Sequence, residues 1–258
     1  MLQQGFVLDN QKVAEDVFRM RLHAENVAAT VTPGQFVMLK CWEGHDPFLM
    51  RPFSINSADS AKQEIVLLYK VVGKGTRIMA DLRQGDKVNL LGPLGNGFPL
   101  KDGTKRIALI GRGIGMAPLR LLAERALERG ILVHAYLSAS SPDQLYDKAI
   151  YEALNIPVSC TVRPDKLVTD LFAEDLRSLR FDAAYLCGSR RLMRQTDALA
   201  DAHGFEAYVS VEERMACGMG ACKSCACKLR EESGEKKNGY VCKDGPVFAI
   251  KRLVAEDV

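Results

Sequence analysis

Four of the chain's eight cysteines fall within eleven residues, Cys217-Gly-Met-Gly-Ala-Cys222-Lys-Ser-Cys225-Ala-Cys227, and one more follows at Cys242. The spacing of Cys217, Cys222, Cys225 and Cys242 is C-x4-C-x2-C…C, the plant-type arrangement that holds a [2Fe–2S] cluster. Four thiolates have to converge on two irons, so the loop between the first two must turn tightly. Gly218 and Gly220 supply a backbone that tolerates positive φ there. A tetrahedral zinc site is the rival reading of four thiolates. Zinc knuckles usually come as two short C-x2-4-C pairs, whereas here three ligands share one loop and the fourth stands alone. Disulfides fit least, because Met1-Leu-Gln-Gln-Gly shows neither the basic nor the apolar segment of a secretory signal. Cys227 could replace Cys225 as third ligand, but the x2 spacing favours Cys225.

The 258 residues suffice for two domains and a small appendage. A net charge of +3, with 47% hydrophobic and 26% charged residues, gives no case for a nucleic-acid or membrane surface. No run of about 18 apolar residues spans a bilayer. Cys41, Cys160 and Cys187 stand singly, as reduced thiols in a cytoplasm do. The chain is expected to be cytoplasmic.

Three regimes follow one another. From about residue 5 to 100, short β-type runs such as Val17-Phe-Arg-Met-Arg-Leu22, Phe36-Val-Met-Leu39 and Ile65 to Val72 are divided by Pro33-Gly34, Gly73, Gly85 and Gly92-Pro93. That spacing reads as an antiparallel β-barrel. From about 105 the pattern becomes strand, glycine turn, helix, strand: Arg106 to Gly111, a helix from Pro118 to Arg129, then Ile131 to Leu137. This βαβ unit marks a parallel, doubly wound α/β domain. The last regime holds the cysteines, with Glu231 to Gly239 as a solvated hairpin tip. The expected domains are 1–102, 103–211 and 212–258.

Gly111-Arg-Gly113-Ile-Gly115 lies where a pyrophosphate approaches backbone at a helix N-terminus. A tight turn without a ligand is the plainer alternative. If position 112 needs positive φ, Arg112 stores strain of about 1–3 kcal/mol. Phe181 to Cys187-Gly188 reads as a buried strand whose C-terminal end borders a nicotinamide, although a free cysteine is often just a small buried hydrophobe. In the barrel, Arg51 beside Pro52 can pair with a phosphate, and Ser54 can donate to a ring nitrogen. Gly73-Lys-Gly75-Thr76 offers a second contact, with open backbone and a hydroxyl. The four histidines, His23, His45, His134 and His203, show no metal or triad spacing and read as structural or surface residues.

Arg51-Pro-Phe-Ser54, Val72-Gly-Lys-Gly-Thr76, Gly92-Pro-Leu-Gly95, the glycine turn with Pro118, Cys187-Gly188, Glu213-Arg-Met-Ala-Cys217 and Cys242-Lys-Asp-Gly-Pro-Val-Phe248 occur in this order along nearly the whole chain. Together they resemble the electron-transfer subunits of the B-type dihydroorotate dehydrogenases, relatives of the ferredoxin reductases. The resemblance implies an FAD barrel, an NAD-binding domain and a [2Fe–2S] domain. It implies a catalytic partner that carries FMN and oxidises dihydroorotate in pyrimidine (UMP) biosynthesis, in a heterotetramer with two copies of each. By motif position Arg51, Pro52, Phe53, Ser54, Leu68, Tyr69, Lys70, Gly75 and Thr76 would hold FAD, with Ser54 at its reactive edge. Gly111, Gly113, Gly115, Cys187 and Gly188 would hold NAD, and Cys217, Cys222, Cys225 and Cys242 the cluster. NAD rather than NADP rests on the resemblance alone, and Arg190-Arg191 reads as a solvated basic pair. The alternative is a stand-alone ferredoxin-type NAD(P)H reductase serving another protein acceptor.

Overall fold

The computed structural model of the chain describes residues 1–162, 166–231 and 233–254. Six antiparallel strands close a barrel in the order β1-β2-β5-β4-β3-β6: β1 (Leu2–Ala14), β2 (Val17–His23), β3 (Phe36–Lys40), β4 (Arg51–Asp59), β5 (Glu64–Lys70) and β6 (Lys87–Leu94). Alternation supplies the interior: Met20 and Leu22 on β2 and Ile65, Leu67 and Tyr69 on β5 are fully buried, each large apolar side chain contributing about 1.5–3 kcal/mol of burial. Two short helices, α1 (Glu25–Thr30) and α2 (Lys74–Ala80), add Val27, Ala28 and Met79 to the same core. Closure leaves the barrel no free edge.

A parallel sheet follows, built from β7 (Arg106–Arg112), β8 (Leu132–Ala139), β9 (Val158–Val162), β10 (Ala183–Cys187) and β11 (Glu206–Ser210). Helices α3 (Arg120–Glu128) and α4 (Lys148–Ala153) pack on one face, where Ile107 and Leu109 meet Leu122 and Tyr151. On the other face, α5 (Val168–Asp175) and α6 (Arg190–His203) meet Ala108 and Ile110 through Phe172 and Leu192. Helices on both faces define a doubly wound layer.

The C-terminal segment contains a hairpin of β12 (Ala226–Arg230) and β13 (Lys236–Tyr240), one helical turn α7 (Val241–Asp244), and β14 (Val247–Ala249). β14 pairs antiparallel with β11, so the sheet order is β14-β11-β10-β7-β8-β9. Residues from the last regime thus complete the sheet of the middle one. The hairpin tip is narrower than expected: Lys236 to Gly239 belong to β13, because Cys227 and Leu229 bury their side chains and recruit the opposite residues as partners. Within the expected tip Glu232, and within the expected last domain residues 255–258, lie outside the described residues.

The segment after β7 also differs from the sequence reading. Gly113–Met116 forms a turn of 3-10 helix, Pro118 sits in the following turn, and α3 starts only at Arg120. Arg112 is extended at φ −127°, and the positive φ of 53° falls on Gly113. Arg112 is therefore unstrained, because the glycine directly after it takes the left-handed conformation.

Candidate functional site

The start of β4 and the end of β5 open on one cavity of about 350 Å³ between the barrel and the parallel sheet. Pro52, Phe53, Ser54, Leu68, Tyr69 and Lys70 line it, so the two expected strand segments do converge on one space. Ser54 makes no side-chain hydrogen bond among the described residues, which leaves its hydroxyl available. The Tyr69 side chain turns into the barrel instead, where its hydroxyl donates to Asn10 Oδ1 at 3.1 Å and its ring lies 5.7 Å from that of Phe53. Burial raises its phenol far above the ordinary range.

Arg51 lies outside that lining. Its guanidinium donates to Leu49 O at 2.6 Å and Met50 O at 3.3 Å and stands 5.8 Å from the centre of the Trp42 ring. No carboxylate pairs with it among the described residues. Its charge is held by an aromatic face and carbonyls, which suits an anionic diphosphate. Gly75 closes the group: a Cβ there would come within 3.1 Å of Trp42 Cη2 and 3.3 Å of Arg51 Nε. Thr76 departs from the sequence reading. Its hydroxyl accepts from Val72 N and Gly73 N and donates to Gly73 O, so it caps α2 rather than facing a ligand. Trp42, which braces Arg51 and donates to Pro47 O at 2.5 Å, went unnoticed because a lone tryptophan carries no spacing signal.

A second cavity, of about 520 Å³, lies at the C-terminal ends of the parallel strands, between β7 and β10. Crevices at this position bind ligands in open α/β sheets. Gly113, Gly115, Cys187 and Gly188 line it; Gly111 does not, since it sits inside β7 under Met116. A Cβ on Gly115 would come within 2.6 Å of Cys187 O, so glycine permits the turn to close on β10. Burial holds the Cys187 thiol in its neutral form.

Ile114, Ser210, Val211 and Glu212 line both cavities. Glu212 is an exposed residue, yet the protein packed around its carboxyl raises it above 4.5 by desolvation. None of these four was singled out from the sequence: Ile114 stood only as a spacer within the glycine turn, and Ser210, Val211 and Glu212, at and just after the end of β11, carry no motif.

The cysteine loop gathers its thiols in two pairs. Cys225 Sγ lies 3.3 Å from Cys242 Sγ, and Cys222 N donates to Cys217 Sγ at 3.4 Å. Gly220 N donates to Cys242 Sγ at 3.1 Å, Met219 N to Cys217 Sγ at 3.5 Å and Cys242 N to Cys225 Sγ at 3.4 Å. Backbone N–H groups aimed at sulfur stabilise thiolate character, which suits cysteines that hold iron. Among the described residues no three His, Cys, Asp or Glu side chains gather as a single-ion site. Gly218 and Gly220 take φ of 74° and 84°. Ser224 lowers the Cys222 thiol to about 6, while burial raises Cys242 to about 12. Cys227 sits within β12, opposite Gly239, buried and pushed up to about 11 by desolvation, with no side-chain hydrogen bond to another sulfur among the described residues.

A barrel beside a doubly wound sheet with a cavity between them is the fold of the ferredoxin reductase class. The chain superposes on a chain of the NADH-dependent reduced ferredoxin–NADP oxidoreductase structure with a TM-score of 0.84, at 26% identity, covering 98% of this chain and 90% of that one. It matches phthalate dioxygenase reductase in fold, with a TM-score of 0.65 at 18% identity over 94% and 77% of the two chains. Residues 5–98 match the oxidoreductase FAD-binding domain, and residues 212–254 match the iron–sulfur cluster binding domain of dihydroorotate dehydrogenase B. The NAD+ dihydroorotate dehydrogenase B electron transfer subunit of Bacillus cereus is 36% identical over 98% of this chain and 99% of its own length, and that of Bacillus anthracis is equally similar. The chain belongs to this family of electron transfer subunits.

Proposed function

We propose that the chain carries electrons between a partner that oxidises dihydroorotate and NAD, with the [2Fe–2S] cluster and FAD as its two internal stations. The observation that supports this most is the wall of Ile114, Ser210, Val211 and Glu212 common to the two cavities, across which a flavin in one and a nicotinamide in the other would meet. When bound, the cluster supplies one-electron chemistry and the flavin joins it to two-electron hydride exchange with NAD.

The residues divide the work. Arg51, braced by Trp42, neutralises the FAD diphosphate, and Ser54 presents its hydroxyl to the flavin ring. Gly113 and Gly115 let the dinucleotide approach backbone, and neutral Cys187 borders the nicotinamide without contributing charge. Glu212 keeps a carboxyl that binds a proton more readily than usual where both cavities meet. Cys217, Cys222, Cys225 and Cys242 would hold the cluster, and Met219 of their loop, 56% exposed, would be available to the partner. Gly218 is buried and takes no part in that contact.

The partner carries FMN, the assembly holds two copies of each subunit, and it works in the cytoplasm. No described helix is long and apolar enough to cross a membrane. The test is co-expression with a candidate FMN subunit and a visible spectrum before and after dihydroorotate and then NADH. Flavin and iron–sulfur absorbance should bleach with dihydroorotate only when the partner is present. Bleaching by NADH alone, with no response to dihydroorotate in the complex, would leave a reductase for another acceptor.

A further inference from the structure

Asn56 is the extra residue of a β-bulge. The pairing of β4 with β5 steps from Ile55↔Leu67 to Ser57↔Val66 and leaves Asn56 without a partner. Bulges re-aim side chains, and this one directs a fully buried amide out of the barrel into the parallel-sheet layer. Asn56 Nδ2 donates to Ala117 O at 3.1 Å and to Asp147 Oδ2 at 2.8 Å, and its Oδ1 accepts from Arg120 Nη1 at 3.4 Å. All three partners lie in the second layer. Asp147 returns the connection: its side chain is 0% exposed, and its other oxygen accepts from Arg19 of β2 at 2.5 Å. Its backbone stands at φ 60°, a conformation that aspartate tolerates but rarely needs. A buried carboxylate is costly unless its lone pairs are met, and here two barrel side chains meet them.

The location gives the network a role beyond holding two layers together. Ser54 lies two residues before Asn56, Ala117, just after the glycine turn, lines the cavity assigned to the flavin, and Ile114, within that turn, lines both cavities. One amide thus ties the strand that faces the flavin to the turn that faces the nicotinamide. We propose that Asn56 and Asp147 are positioning residues that set the distance at which the nicotinamide meets the flavin; the proposal rests on the cavity assignment above. A misplacement of about 1 Å costs hydride transfer about a hundredfold.

The test uses the full chain loaded with FAD and cluster. Asn56→Ala should retain flavin and iron–sulfur absorbance and bind NADH as wild type does. It should lose the long-wavelength charge-transfer band of stacked nicotinamide and flavin, and reduce flavin bleaching by NADH about 10- to 100-fold in stopped flow. Asn56→Asp should be worse, since it sets two carboxylates together. Adding Asp147→Asn restores a donor–acceptor pair and should recover both the band and the rate relative to Asn56→Asp. An unchanged band and rate in Asn56→Ala would overturn the proposal. So would a double variant no better than Asn56→Asp, or rate losses that only follow FAD loss and melting temperature. A wild-type chain that takes up no flavin would instead sink the cavity assignment.

Discussion

Gly218 of the cysteine loop lies directly on Met38 of the flavin barrel: a Cβ at 218 would fall 2.5 Å from Met38 Cγ and 3.2 Å from Leu94 Cδ1. Met38 in turn is the β3 partner of Pro52 on β4. The cluster loop therefore rests on the strand next to β4, whose first residues line the cavity proposed for the flavin. Gly218→Ala adds left-handed strain of about 1–2 kcal/mol to that overlap. It should lower the iron and sulfide content of the purified chain while FAD content stays near one per chain. At Gly220 the neighbour is the flexible Lys243 side chain, so Gly220→Ala should lose less cluster, which iron analysis of both variants decides.

Trp42 braces Arg51, so its removal should weaken FAD and spare the cluster. Trp42→Leu deletes the cation–π contact and the hydrogen bond to Pro47 O. A loss of about 1 kcal/mol corresponds to about a fivefold rise in the FAD Kd. Flavin fluorescence titration of the deflavinated chain measures it; an unchanged Kd would remove Trp42 from the site.

Gly115→Ala should damage the nicotinamide side alone. The added methyl meets the backbone of Cys187, which cannot move aside as a side chain can. We expect the NADH Kd to rise about tenfold or more, or about 1.4 kcal/mol, with the visible spectrum of bound flavin retained. Gly113→Ala has open space around its Cβ and pays only for its φ of 53°, so its effect on NADH binding should be smaller.

Glu212 gives stability a pH dependence of definite sign. Its folded pKa is raised above 4.5, so the folded chain binds more protons than the unfolded one from that value upward, and stability falls as pH rises through the folded pKa. Glu212→Gln removes the ionisation. Melting curves of the two chains without NAD should converge at low pH, and the variant should decline less as pH rises toward neutrality. Parallel curves would show that Glu212 is hydrated in solution.

The sequence exposed those features that depend on spacing along the chain. The barrel's short alternating runs and the βαβ unit each follow a local period and reappear as elements, and the closely spaced cysteines reappear as a loop that gathers their sulfurs in two pairs. That Pro52, Phe53, Ser54 and Leu68 line one cavity was within reach, because a strand brings near neighbours to one opening. What remained hidden was set by contacts between distant segments. Trp42 and Arg51 meet through a loop, Glu212 gains its place only where two layers touch, and the Thr76 hydroxyl turns inward because α2 needs a cap. Arg112 shows the converse: the strain that a positive φ at position 112 would store does not arise, because the positive φ falls on Gly113.

The pairing of β14 with β11 means that the cluster-bearing segment is no removable cassette. Val247 and Phe248 run along Ser210 and Val209, Asn96 of the barrel donates to Lys243 O and Asp244 O, and Val254 N donates to Lys228 O. Deleting the chain after Val211 would strip the sheet of its outermost strand and leave β11 as a raw edge, open to pairing with other chains. Shuffling this module onto another reductase would need the β11 surface to travel with it, so grafts cut at the apparent boundary should aggregate and those carrying β11 should stay in solution.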